Sequence, residues 1–418
     1  MNAFANLWIW SDEQVGKRMS WYRGVAANRL PAKFRIARTI PVDADLDADS
    51  EESLWAELER RTPGFTATRE AIRSGREDLG PPARRPHLLD LARELSARML
   101  AHCNFCAWDC GVDRIKGAKL GTCKLGAGTR VSTFFHHRGE ELVYRGTSGS
   151  GTIFFTSCNM RCAFCQNGDI STDKDNGTEV SPRTLAAMAW LLRHEGCHNI
   201  NWVGGDPIVH LHSIIAAISV LGDEMTRPSS EDIERAFSVK ADFPKRLAID
   251  ETAAQFEGAF NAPMLWNSNS YASAEVMKIL RLLVDVWLPD FKFGPGRCAT
   301  ELARTARYWE TATASLSMIE AWKEDLTIRH LVMPGHVECC TYAVIDWIAE
   351  HMPDVPVNVM NQYHPDMFAN PRSPRYREKY ETVSRRLSEE ELLSAYLYAR
   401  QKRIAFEPMT FESQPEGA

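Results

Sequence analysis

The chain has 418 residues, 44% of them hydrophobic and 25% charged. That is an ordinary balance for a soluble globular protein, long enough for one large barrel domain with extensions or two to three smaller domains. The formal net charge of -6 argues against a nucleic-acid partner, which would look for a basic face. No apolar run approaches the roughly 20 residues that span a bilayer, and the start, MNAFANLWIWSDEQ, lacks the basic and long apolar regions of a signal peptide, so neither a membrane partner nor export is expected and the cytosol is the default compartment.

Residues 1–100 read as an N-terminal extension of helices and loops. PVDADLDADSEESLWAELERR holds an acidic run, expected as a solvated loop, that leads into a helix with Asp or Ser as its cap. RPHLLDLARELSARML, residues 85–100, has the apolar spacing of an amphipathic helix and delivers the chain to a cysteine-rich segment, 101–145. There Cys103, Cys106, Cys110 and Cys123 form C-x2-C-x3-C-x12-C. The chain has eleven cysteines, an odd number, in clusters; in a reducing compartment such clusters read as metal ligands or redox groups. Four thiolates at these spacings fit a closed zinc site or an auxiliary iron–sulfur cluster equally, with no metal as the third alternative.

From residue 151 strands and helices alternate. GTIFFTSC (151–158), NINWVGG (199–205), PMLWNSN (263–269), VDVWLPDFKF (284–293), IRHLVMPGH (328–336) and VPVNVMNQYHP (355–365) are strand candidates. Helices are expected at 181–196, around 209–222, over SAEVMKILRLL and YAVIDWIAEHM, and at 388–401. This rhythm predicts parallel strands joined by crossover helices, an α/β partial (β/α)6 barrel over 146–370 followed by a C-terminal helix and tail, 371–418. Residues 223–262 break the rhythm and read as an insertion, with RLAID an extra strand candidate. Each suspicious polar cluster follows a strand, where such sheets place their chemistry: the cysteines, Gly204-Gly205-Asp206-Pro207, Asn267-Ser268-Asn269, Asp290 with Lys292, Pro334-Gly335-His336, and Gln362 with His364.

Cys158, Cys162 and Cys165 form C-x3-C-x2-C directly after the first of these strands. Thiolates are soft ligands for iron–sulfur clusters or zinc. Three are one too few for a closed site, and an open position is what catalysis requires. With Phe164 before the last cysteine, the motif resembles the radical SAM superfamily. Gly204-Gly205-Asp206-Pro207 is similar to that family's GGEP element, with Asp in place of Glu. Asp290-Phe291-Lys292 and IRHLVMPG (Arg329 to Gly335) resemble stretches of glycyl-radical-enzyme activases. The upstream CNFCAWDCGVDRIKGAKLGTC, WNSN, LPDFK, RHLVMPG and NQYHP resemble uncharacterised homologues of pyruvate formate-lyase activating enzyme over roughly residues 85–400.

The resemblance implies a [4Fe–4S] cluster on Cys158, Cys162 and Cys165. It implies S-adenosylmethionine (SAM) as cosubstrate, cleaved to a 5′-deoxyadenosyl radical that abstracts hydrogen. Phe164, Gly204, Gly205, Asp206, Asn267, Ser268, Asn269 and Arg329 are expected to bind SAM, and Asp290 and Lys292 to serve catalysis. The implied partners are a one-electron reductant of flavodoxin or ferredoxin type and a glycyl radical enzyme or peptide. The rival readings are modification of a small molecule or peptide, and a non-catalytic iron–sulfur electron-transfer protein. Among lesser candidates, His194, Cys197 and His198 read as turn residues, Cys339 and Cys340 as helix-start packing, and Trp202, Trp266 and Trp287 as core.

Overall fold

The computed structural model describes residues 7–223, 225–241 and 254–412. Its strands are β1 (Thr129–His137), β2 (Ser150–Phe155), β3 (Thr178–Val180), β4 (Ile200–Val203), β5 (Lys240–Ala241), β6 (Gln255–Phe256), β7 (Ala259–Phe260), β8 (Met264–Ser268), β9 (Val286–Pro289), β10 (Ile328–Leu331) and β11 (Val357–Met360). The main sheet runs β3-β1-β2-β4-β8-β9, with β5 also on β1. From β2 to β9 every pairing is parallel, and β10 pairs β11 in parallel. The six parallel strands are those the sequence predicts, each shorter than its candidate because the polar ends turn into loops.

A seam divides this partial barrel. β9 and β10 share no ladder; isolated bridges Trp287–Leu326 and Asp290–Arg329 join them. Trp202, Trp266 and Trp287 are buried in the core as expected. β1, antiparallel to β2, lies outside the sequence expectation. It covers the sheet edge next to the cysteine strand, and its half-exposed positions hide the alternation that would mark it.

The helices Pro182–His194 and Leu211–Asp223 match their predicted spans. Ser181 caps the first, and its apolar face packs on the sheet. Ser388 and Glu391 form a capping box at the start of Glu389–Lys402. Ser50, at the end of the acidic run, caps the long helix Glu51–Arg73. In the insertion the helix Ser230–Phe237 is described; RLAID lies outside the described residues. No helix among the described residues is long and apolar enough to cross a membrane.

The N-terminal extension closes the bottom of the seam. Asp285, just before β9, accepts from Trp21 Nε1 and Lys33 N at 2.9 Å and from Met264 N at 2.9 Å. Asp325, before β10, accepts from Tyr22 N at 2.8 Å. The fully buried Lys33 pairs with Glu324, which also meets Arg69 at 2.8 Å.

A second tie links the extension to the helix Leu211–Asp223. Asp223 meets Arg38 at 2.6 Å, Arg85 at 2.5 Å and His87 at 3.5 Å. Burial alone would raise this carboxyl; His87, Arg38 and Arg85 outweigh it and hold it well below the usual range. A depressed carboxyl contributes stability above its unfolded value near 4 and loses it as pH falls. Asp223→Asn therefore costs about 2 kcal/mol at pH 6, and the gap to wild type narrows toward pH 3. Urea midpoints at the two pH values check this; a gap that stays constant refutes the carboxylate's role.

Candidate active site

β2 ends at Phe155, and Ser157, at φ +65°, turns the chain into the cysteine loop. Neighbouring backbone holds the loop from several sides. Ser157 N donates to Ile170 O, Arg161 N to Ala303 O and Ala163 N to Leu302 O, while Ala163 O accepts from Phe368 N and Ala369 N. The Arg161 guanidinium donates to the carbonyls of Cys158, Met160 and Thr122. Trp108 Nε1 donates to Asn159 O at 2.7 Å, so the upstream cysteine segment packs directly on the loop.

Gly204 and Gly205 follow β4 at φ +83° and +45°. A Cβ on Gly204 would lie 2.4 Å from Phe154 Cδ1, and one on Gly205 would lie 1.7 Å from Ser157 O. The glycines are thus required where the β4 loop crosses the strand carrying the cysteines. Asp206 N donates to Ser157 O at 2.9 Å and closes the contact.

The Asp206 carboxylate is committed to neighbouring protein groups. It accepts from Ile208 N at 3.0 Å, Asn269 N at 2.8 Å and Ser268 Oγ at 3.0 Å. Burial pushes it up to about 6 against those donors. It ties the β4 loop to the β8 loop, a task for which the shorter Asp side chain suffices. Asn269 then reaches Asn159 Oδ1 at 2.7 Å and Cys158 Sγ at 3.5 Å through its Nδ2.

A cavity of about 640 Å3 opens at this end of the strands. Cys158, Cys162, Phe164, Cys165, Gly204, Gly205, Asp206, Asn267, Ser268, Asn269, Asp290, Lys292 and Arg329 all line it, so the residues expected for the cluster, SAM and catalysis share one space. Gln362 lines it as well. Lys292 pairs with Asp290, and Arg329 is gripped by Glu140 and Glu141, its Nε lying 2.6 Å from Glu141 Oε1. Asn201 and Asn358 donate to the same two carboxylates. Glu140, Glu141, Asn159 and Asn358 escape the sequence reading. Adjacent glutamates and lone asparagines carry no spacing that marks a site; Asn159 follows Cys158 directly, and only folding sets Glu140, Glu141 and Asn358 around Arg329.

Burial holds the three thiols in their neutral form. It raises Cys158 far above an ordinary thiol, Cys162 to about 12 and Cys165 upward, although Lys292 opposes it at the last two. Buried thiols of this kind ionise when a metal takes the proton's place. Among the described residues the three sulfurs do not gather within 4.8 Å of one another, as ligands of a single ion would. One loop that presents three spread cysteines, Cys158 buried and Cys162 and Cys165 half-buried, to a large cavity fits a multi-iron cluster with an open position.

The upstream Cys103, Cys106, Cys110 and Cys123 line a separate void of about 10 Å3 with Phe105, Val112 and Val209. Ser157 Oγ donates to Cys123 O at 2.9 Å, joining the two cysteine regions. These sulfurs also stay outside the mutual 4.8 Å limit.

The radical SAM superfamily pattern matches residues 152–348. Over 383 residues the chain is 32% identical to Uncharacterized protein MJ0674 of Methanocaldococcus jannaschii, covering 90% of this chain and 96% of that one. The chain belongs to the radical SAM superfamily. It is a radical SAM enzyme, and membership implies a [4Fe–4S] cluster and SAM. Among solved structures, Streptococcus suis SuiB aligns at TM-score 0.37 and 11% identity, over 60% of this chain and 46% of SuiB. SuiB bound to S-adenosylmethionine gives 0.35 and 12%, over 60% and 48%. SuiB bound to precursor peptide SuiA gives 0.38 and 10%, over 86% and 65%. The chain thus spans about half to two thirds of the length of those structures.

Proposed function

We propose that Cys158, Cys162 and Cys165 bind the radical SAM cluster and that the cavity beside them is where SAM is cleaved and hydrogen abstracted. The observation that carries this reading is the convergence of the residues expected for the cluster, SAM and catalysis on one cavity. When bound, the cluster supplies one electron that splits the SAM sulfonium and releases a 5′-deoxyadenosyl radical able to take hydrogen from a substrate. The chain's own residues do the rest. Lys292 sets a positive charge against Cys162 and Cys165 and favours their thiolates. Asp206 and Asn159 fix Asn269 beside Cys158. Phe154, Met160, Phe164 and Met360 exclude water from the wall, which keeps a reactive radical from unwanted partners. Asn267, Ser268 and the glycines face SAM, with Arg329 held in place by Glu140 and Glu141.

For the hydrogen donor we propose a glycine Cα on a partner glycyl radical enzyme, on the strength of the Asp290-Phe291-Lys292 and Arg329–Gly335 stretches. A second reading, a small molecule or a peptide modified in its own right, is favoured by the C-terminal wall. Glu412 lines the cavity and is clasped by Arg145 at 2.7 Å and Leu142 N at 2.8 Å. The upstream quartet we assign to a structural or electron-relaying metal; zinc and iron counts on Cys103→Ala separate its two candidate contents.

Anaerobic protein mixed with a flavodoxin-type or chemical reductant and SAM is expected to yield 5′-deoxyadenosine. Its absence from protein carrying its full iron would overturn the reading. Deuterium in that product from a glycine-labelled partner enzyme selects the first donor, and label from small molecules alone selects the second.

A further inference from the structure

A third group of cysteines lies outside the cavity. Cys298 starts the helix Cys298–Ala303, beyond the loop that carries Lys292. His336, Cys339 and Cys340 come from the turn after β10. There the chain enters a π-helix, Val337–Tyr342, a wide turn frequent at functional sites. Cys340 N and Thr341 N both donate to His336 O, which sets His336, Cys339 and Cys340 on one side of the turn.

The four side chains converge on one point. Their ligand atoms all lie within 4.8 Å of one another. Cys298 Sγ is 3.6 Å from Cys339 Sγ and 3.6 Å from His336 Nδ1. Cys339 Sγ is 3.4 Å from His336 Nδ1 and 3.9 Å from Cys340 Sγ. A tetrahedral zinc ion with ordinary zinc–sulfur and zinc–nitrogen bonds sets its sulfurs about 3.8 Å apart and sulfur from nitrogen about 3.6 Å. The four observed distances, 3.4 to 3.9 Å, are close to the edges of such a tetrahedron.

The surroundings agree. His336 Nε2 is buried without a hydrogen-bond partner among the described residues, so Nδ1, facing the sulfurs, is the ring's directed contact. A Cβ on Gly294 would lie 2.1 Å from Cys339 O, so glycine is required for the two loops to meet. A disulfide is a different geometry, with sulfurs about 2.05 Å apart; here all the cysteines are free.

We infer that Cys298, His336, Cys339 and Cys340 bind a zinc ion in a closed structural site. Three thiolates and one imidazole fill a tetrahedral shell and leave no position for substrate. The ion pins the loop after β9 to the loop after β10, across the top of the seam where Asp290–Arg329 is the sole bridge among the described residues. It thereby sets the spacing between Lys292 and Arg329 on the cavity wall. The inference is independent of what the cavity does.

Zinc and iron measured together on the anaerobically purified full chain test it. The double variant Cys298→Ser/Cys339→Ser is expected to hold one zinc fewer per chain than wild type, with iron unchanged. Equal zinc, or loss of iron in place of zinc, overturns the site. A second measurement needs no variant. Cys339 is exposed, so as a free thiol it would alkylate at once. In the wild-type chain its alkylation is expected to be at least tenfold slower than after treatment with a zinc chelator. Free-thiol reactivity before chelation, or a Cys298–Cys339 disulfide in the same digest, overturns the proposal.

Discussion

Cys158→Ala, Cys162→Ala and Cys165→Ala each lower 5′-deoxyadenosine formation below detection and remove about four iron atoms per chain, the content of one [4Fe–4S] cluster. The expectation follows from how the loop is built. All three cysteines sit on one turn between Ser157 and Ile170, and among the described residues no fourth cysteine lines the cavity. A missing sulfur therefore has no substitute. The fold should survive. The loop is held by its backbone bonds to Ile170, Leu302, Ala303 and Phe368, not by the sulfurs. Iron counting, product analysis and circular dichroism on the same preparations check this. A variant that keeps its iron and still cleaves SAM refutes the assignment of that cysteine. Loss of activity with loss of the folded spectrum would instead place the sulfur in the core.

Asp285→Ala lowers the stability of the whole chain by about 3–5 kcal/mol, a large share of the roughly 5–15 kcal/mol typical of folded domains. The carboxylate is fully buried and accepts from three donors, Trp21 Nε1, Lys33 N and Met264 N. Alanine leaves all three without an acceptor, where no water reaches, and each such orphan costs about 1–3 kcal/mol. Asp285→Asn keeps one carbonyl acceptor and should fall between. The pH dependence has the opposite sign to that at Asp223. Burial pushes the Asp285 carboxyl up to about 6, against Met264, Trp21 and Lys33. A raised carboxyl contributes fully below its unfolded value near 4 and loses that contribution as pH rises through 6. The gap between wild type and Asp285→Ala therefore narrows from pH 4 to pH 6.5. Urea midpoints at both values measure it. Limited proteolysis should cut the first 40 residues sooner in the variant; an unchanged midpoint and cutting pattern would refute the anchoring role.

These two aspartates differ for a reason no sequence pattern carries. Asp223 faces three basic groups from segments far away in the chain, whereas Asp285 faces backbone amides and an indole.

What the sequence by itself determined is local and periodic. Six parallel strands and their helices follow from alternating apolar runs, and Ser50, Ser181 and Ser388 mark helix starts through their own hydroxyls. The cysteine loop is also local: three soft ligands within eight positions after a strand need no distant partner to be recognised. Because strand C-terminal ends converge in such a sheet, most of the polar residues following the strands could be named before their cavity was seen, whereas Pro334-Gly335-His336 and His364 do not line it.

Only the tertiary structure decided the rest. It set β1 against the cysteine strand, split the barrel at the β9–β10 seam and closed the seam's bottom with Trp21, Tyr22 and Lys33. It surrounded Arg329 with Glu140 and Glu141 and turned the Asp206 carboxylate toward Ser268 and Asn269. It also drew Cys298 and His336 to Cys339 and Cys340, the last two of which read in sequence as helix-start packing. The physical reason is common to all of these. Each joins groups tens to hundreds of residues apart, and a buried charge or thiol draws its role from the partner that folding brings to it, which spacing along the chain does not encode.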